Sequence, residues 1–152
     1  MKTKSIARTL LGLVCSVLFA FAATGAGAQT PAASATPTAV PATATPKVIG
    51  LLFYADWCAS CKVLEPKLAA IKKDFAGQPV LFTRADQTDD FAKEQSALLA
   101  AALGLGEVYA AQGGKTGYML LLDASSHRVL GKLTKLQEEA ELKQAIADAL
   151  KG

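Results

Sequence analysis

Apolar residues recur along this chain in two rhythms, separated by turn residues. Val48–Ala55 (VIGLLFYA) is an unbroken apolar run, which suits a buried central strand. Residues 58–75 change period: Val63, Leu64, Leu68, Ile71 and Phe75 return at three and four, the spacing of an amphipathic helix. Gly77-Gln78-Pro79 breaks that pattern, and Val80–Ala85 is a second strand. Asp89 or Asp90 is placed to cap a helix through Leu99. Gly104 and Gly106 interrupt it before a short helical piece, Val108–Gln112, and Gly113-Gly114 breaks the chain again. Tyr118–Leu122 is a third strand, Asp123–Ser126 a turn, and Arg128–Leu133 a fourth strand antiparallel to the third. Glu138–Leu150 closes the chain as an amphipathic helix with Leu142, Ile146 and Leu150 inward. The order βαβ, helix, ββα predicts an α/β domain. Its right-handed parallel pair is extended by an antiparallel hairpin into a mixed four-stranded sheet flanked by helices.

The first 46 residues follow neither rhythm. Lys2, Lys4 and Arg8 precede an apolar run, Leu10 to Ala23, that ends in Ala26-Gly27-Ala28. A basic start, a short apolar core and small residues at a cleavage point predict a signal peptide over residues 1–28. The apolar core is shorter than the ~20 residues of a membrane span, although an uncleaved anchor facing the periplasm is the alternative. Cys15 follows Val14, where a lipoprotein signal needs a small residue, so Cys15 is expected to leave with the signal. Residues 29–46 (QTPAASATPTAVPATATP) have no charge and no aromatic, and hold Pro31, Pro37, Pro41 and Pro46. Such a stretch has nothing to bury and favours extended conformations, so it reads as a disordered linker or spacer. The domain is then 47–152.

Charge changes meaning once the signal is set aside. The formal net charge of +3 over 152 residues would hint at an anionic partner. Without Lys2, Lys4 and Arg8, the remaining bases equal the 13 acids. The mature chain is formally neutral, and nothing in it supports nucleic-acid binding. One histidine and three cysteines exclude a multi-zinc module. Export leaves Cys58 and Cys61 in an oxidising compartment such as the periplasm.

Those two cysteines stand where the buried run gives way to the helix, in Trp57-Cys58-Ala59-Ser60-Cys61-Lys62. At a helix N-terminus, unpaired backbone N–H groups and the helix dipole favour a thiolate on Cys58. Cys61, one turn on, is near enough to close a disulfide with it, so the pair can cycle between dithiol and disulfide. Cys58 is expected to be the exposed attacking sulfur and Cys61 the buried resolving one. A structural bridge is the weaker reading, because so small a loop restrains little unfolded-chain entropy. A metal site lacks a second ligand pair: the lone His127 lies in a predicted surface turn. The haem signature fails because Lys62, not histidine, follows Cys61.

The stretch Phe53-Tyr54-Ala55-Asp56-Trp57-Cys58-Ala59-Ser60-Cys61-Lys62, followed by Pro66, resembles the active-site strand and first helix of the thioredoxin-like family. Its wording is most similar to the periplasmic C-terminal domain of bacterial inner-membrane thiol-disulfide interchange proteins, which carry reductant. The resemblance spans about residues 48–75, and residues 118–150 agree in layout. It implies a thioredoxin fold and a thiol-disulfide oxidoreductase with Cys58 and Cys61 catalytic. It implies no cofactor and no metal. The implied partners are protein thiols or disulfides and an upstream thiol-disulfide electron donor, with the chain a monomer. Trp57, Lys62, Glu65 and Pro66 are its supporting residues. Trp57 is a lip over the disulfide or partial core packing, and Pro66 is expected to kink its helix.

Two departures stand out. The family often carries a strand acid six residues before the first cysteine, where this chain has Leu52. Glu65, a turn beyond Cys61, is either its substitute or a solvated helix residue. The family's cis-proline is also missing: the chain reads Lys115-Thr116-Gly117-Tyr118, so Thr116, Gly117 and Tyr118 are the implied substrate-binding residues. Tyr109 and Tyr118 are otherwise core or pocket wall. A reductase or electron carrier is favoured over an oxidase, since no histidine within the motif stabilises an oxidant's thiolate. The alternatives are a redox-weak binding or chaperone module and a Cu(I) metallochaperone.

Overall fold

The computed structural model describes residues 45–152. The expected signal peptide and most of the expected linker lie outside the described residues. Four strands and four helices follow in the order β1 (Val48–Tyr54), α1 (Ala59–Lys72), β2 (Val80–Asp86), α2 (Asp90–Ala102), α3 (Gly106–Ala111), β3 (Tyr118–Asp123), β4 (Val129–Thr134) and α4 (Glu139–Lys151). The sheet order is β2-β1-β3-β4. β1 and β2 are parallel, with Val48 opposite Val80 and Tyr54 opposite Asp86. β3 runs antiparallel to both β1 and β4.

β1 is continuously apolar because both of its faces are covered. Val48 and Leu52 pack with Leu64, Leu68 and Ile71 of α1 and with Leu142 and Ile146 of α4. Ile49, Leu51 and Phe53 point the other way, to Ala100 of α2, Leu105, and Tyr118 and Leu120 of β3. Gly50 is small for a packing reason: a Cβ there would stand 3.0 Å from both the Met119 sulfur and the Phe82 ring. The result is a three-layer sandwich in which β1 delivers its C-terminal end, and the motif after it, to one edge of the core.

The predicted elements are all present, with displaced ends. Cys58 is the N-cap of α1 rather than its first residue, and the last expected turn tightens into a 3-10 turn over Lys73–Phe75. α2 is capped by Asp89, whose carboxylate accepts the Ala92 N–H at 2.8 Å, and continues past Leu99 to Ala102. α3 starts at Gly106, earlier than the apolar pattern suggested. Val63, expected inward, is exposed, because the stripe through Cys61, Leu64, Leu68 and Ile71 already fills the face toward the sheet. Leu150 is only half-buried in the last turn of α4.

Candidate active site

The site begins where β1 ends. Ala55-Asp56-Trp57 turns the chain, and the Cys58 N–H donates to the Ala55 carbonyl at 3.1 Å. Cys58 keeps an extended conformation (φ −80°, ψ 108°), as an N-cap must. Its sulfur does what a serine or aspartate oxygen does at other helix starts: it accepts the Cys61 N–H at 3.2 Å. Cys61 is wholly buried one turn later, and its thiol faces the Phe53 carbonyl at 3.8 Å. Cys58 and Cys61 are not joined by a disulfide in this structure.

The two sulfurs have opposed acidities. Burial opposes ionisation of Cys58. Hydrogen bonds from the Cys61 side chain, the Thr116 side chain and the backbone N–H groups of Cys61 and Ser60 outweigh it, and the pKa is lowered. Burial likewise raises the pKa of Cys61, and the bond to Cys58 adds to the rise. One thiol is pushed toward the thiolate and its neighbour toward the thiol.

The expected exposure of Cys58 needs correction: only 7% of the residue is accessible. The cause is the segment before β3, which passes directly over it. The Gly117 N–H donates to the Phe53 carbonyl at 2.8 Å, the same oxygen that faces the Cys61 thiol. A Cβ on Gly117 would lie 3.4 Å from the Cys58 sulfur and 2.8 Å from Ser60 Cβ. Gly117 also has φ +94°, a conformation that side chains resist. Glycine is therefore required here twice, by space and by backbone.

The other sequence-chosen residues are placed as follows. Thr116 and Gly117 lie against Cys58, whereas Tyr118 is turned into the core. Its ring stacks on Phe53 at 5.2 Å between centroids, and its hydroxyl donates to Gln112 Oε1 at 2.8 Å. Tyr109 stacks on the same Phe53 ring, so both tyrosines are wall rather than reactive groups. Trp57 is largely exposed, and its indole N–H donates to the Thr88 carbonyl at 3.2 Å. Lys62 is exposed and makes no ion pair among the described residues. The Glu65 carboxylate pairs with Arg84, whose guanidinium lies 4.2 Å from the centre of the Tyr54 ring. Glu65 is thereby engaged across α1 and β2. α1 spans Pro66 without interruption. His127 sits in the β3–β4 turn with φ 57°, far in sequence from the motif.

Sequence reasoning missed the loop after β2. Asp86 accepts the Thr88 N–H and hydroxyl at 2.9 and 2.5 Å, and the Thr88 hydroxyl in turn accepts the Asp56 N–H at 3.1 Å. This short relay holds the residues before Cys58. Buried Gln87 donates from its backbone to the Tyr54 carbonyl and from its side chain to the Tyr109 hydroxyl at 2.8 Å. An Asp-x-Thr at a strand end is a turn signal, and it was the one available sign.

Among the described residues, no group of His, Cys, Asp and Glu is arranged to hold a metal ion. None of their helices is long and apolar enough to cross a membrane.

Residues 39–98 match the thioredoxin family model. No curated protein matches the sequence significantly. Solved structures similar to the chain include a thiol:disulfide interchange protein of the thioredoxin family from Chlorobium tepidum TLS. It is 20% identical over 68% of this chain and 80% of that one, with a TM-score of 0.49. A putative protein disulfide isomerase from Bacteroides thetaiotaomicron is 22% identical over 71% and 76%, with a TM-score of 0.47. Thioredoxin from Malassezia sympodialis is 20% identical over 71% and 81%, at 0.45.

Proposed function

We propose that this chain, whose residues 39–98 match the thioredoxin family model and whose sheet runs β2-β1-β3-β4, is an exported thiol-disulfide oxidoreductase that works through Cys58 and Cys61 as a reductase or electron carrier. The observation that carries this reading is the opposed pair of thiols. Cys58 is hydrogen-bonded at a helix N-cap and pushed toward thiolate, and Cys61 is buried and pushed toward thiol. A structural disulfide needs no such asymmetry.

The steps follow from it. The Cys58 thiolate attacks one sulfur of a substrate disulfide, forming a mixed disulfide and releasing the other sulfur as a thiol. Cys61 then loses its proton and attacks Cys58 Sγ. The second substrate sulfur leaves and takes up a proton, and a Cys58–Cys61 disulfide remains. Two electrons have passed to the substrate, and an upstream dithiol donor restores the pair. Burial of Cys61 keeps it from outside disulfides until Cys58 presents one to it. The partners are protein thiols and disulfides. The basic start and Ala26-Gly27-Ala28 of residues 1–28 support delivery to the periplasm.

Direction is a matter of potential. The bonds that stabilise the Cys58 thiolate favour the reduced protein and so pull toward the oxidising side. The absence of histidine within the motif, and the likeness of its wording to reductant-carrying domains, support the reductase. The test is an insulin-reduction assay on wild type, Cys58→Ser and Cys61→Ser, with the potential measured against glutathione. Wild type is expected to be active, Cys58→Ser inert, and Cys61→Ser to accumulate mixed disulfides. Equal activity of wild type and Cys58→Ser removes the reading. A potential near about −270 mV agrees with a reductase, and one near about −120 mV replaces it with an oxidase.

A further inference from the structure

We infer that the outer face of α2 is a docking surface for the polypeptide whose disulfide reacts at Cys58, and that the segment it receives is apolar with basic flanks. The inference rests on the thiol-disulfide reading and deepens it by giving the chemistry of the substrate chain. α2 faces the core through Ser96 and Ala100. Its opposite face should be polar if it meets only water. Instead it carries Phe91, 71% exposed, and Leu98, 61% exposed, with exposed Ala102 in the following turn. Phe91 and Leu98 lie two turns apart on one side of the helix, about 10.5 Å along its axis. Three residues of extended chain cover that interval.

The head of this stripe is tied through Thr88 to the residue beside the reactive sulfur. Trp57, next to Cys58, is 62% exposed, and its indole is bonded to Thr88. Thr88 directly precedes Asp89, the cap of α2, and Phe91 is in the first turn. Apolar side chains therefore step from the rim of Cys58 along the helix. A chain held by its sulfur at Cys58 has its neighbouring residues at the head of this path, so the occupant is the reacting chain itself. The border of the path states the charge. Asp56, Asp89 and Glu94 are exposed along it. Lys93, the sole base of α2, is paired with Asp90 at 3.0 Å. An apolar path with an acidic border accepts an apolar segment flanked by lysine or arginine.

The test uses two disulfide-bonded peptides with one apolar sequence, flanked by arginine in one and by glutamate in the other, and a small aromatic disulfide with no peptide chain. The full chain is compared with the double variant Phe91→Ser, Leu98→Ser. The double variant is expected to lose about tenfold in kcat/KM on the arginine-flanked peptide, mostly through KM, as for the loss of a modest hot spot. Its rate on the small disulfide is expected to stay unchanged. Wild type is expected to prefer the arginine-flanked peptide at low salt and to lose that preference at high salt. Unchanged peptide kinetics in the double variant overturn the inference, as does an equal loss on the small disulfide. So does a wild-type dimer that the double variant breaks in sedimentation, which assigns the face to a second copy. If the double variant fails to melt cooperatively, Glu94→Lys leaves the apolar pair in place and must still weaken the preference for arginine. A wild type inert toward every disulfide overturns the proposed function itself, whereas activity on the small disulfide alone overturns only the docking.

Discussion

Cys58 and its neighbours show how little of a thiol's behaviour belongs to the thiol. The same residue type is pushed down at 58 and up at 61, three positions apart. The difference is who donates a hydrogen bond to whom, set against a desolvation that raises both. Thr116 is one of the donors to Cys58, and replacing it with valine removes that bond at nearly constant volume. The pH midpoint of Cys58 alkylation by iodoacetamide is expected to lie below the ordinary 9.0 in wild type and to rise in Thr116→Val. An unmoved midpoint contradicts the assignment of that bond. The sign for stability follows. Between the lowered folded pKa of Cys58 and 9.0 the unfolded chain binds more protons, so the reduced protein gains stability as pH rises through this window. Cys61 acts oppositely: its contribution is complete below 9.0 and is lost as pH passes its raised folded value. At Gly117 the backbone governs. Alanine at φ +94° costs about 1–2 kcal/mol before its contact with Ser60 is counted. A melting temperature lower by about 4–8 °C per kcal/mol is the expected result for Gly117→Ala.

Among the elements, α1 links the site to the core. Its first turn holds both sulfurs, and its buried stripe through Leu64, Leu68 and Ile71 seats it against β1 and α4. Leu64 has no accessible surface, so Leu64→Ala leaves a cavity in the layer beneath the motif. The expected loss is about 2–5 kcal/mol in chemical denaturation. A loss under about 1 kcal/mol would mean that the layer collapses to fill the space. α1 and α4 were legible from their periods because one side of each is core. Val63 was misread for a matter of phase: the sequence offers two adjacent apolar columns, and only packing against the sheet selects one. α2 was legible as a helix from its cap and composition. Its outward Phe91 and Leu98 were not recognised as outward, since burial has no sign in a one-dimensional list.

For the whole molecule, export and the domain boundary belong together. If residues 1–28 are a signal, the secreted chain starts at Gln29 and is formally neutral. Mass spectrometry of the protein recovered from the periplasm is expected to show that N-terminus. A chain that keeps Met1 in the membrane fraction favours the uncleaved anchor. The topology explains why the site forms late in any reading of the sequence. The sheet order β2-β1-β3-β4 puts the first strand in the middle, so its C-terminal end is flanked by segments that come much later. Thr88 reaches Asp56 and Trp57 from one side, and Thr116-Gly117 covers Cys58 from the other.

The chain alone determined the strands, the helices, a Cys-x-x-Cys at a strand–helix junction and the formal neutrality of residues 29–152. All of these depend on residue type and on neighbours within a few positions. Tertiary structure alone decided that Cys58 is nearly covered, that Glu65 is held by Arg84, that Thr88 steadies the motif and that Gly117 has no room for a side chain. Those facts depend on distances between residues tens of positions apart. Such distances exist only once β1 has been sandwiched between β2 and β3, because it is the burial of its two apolar faces that draws the remote segments together.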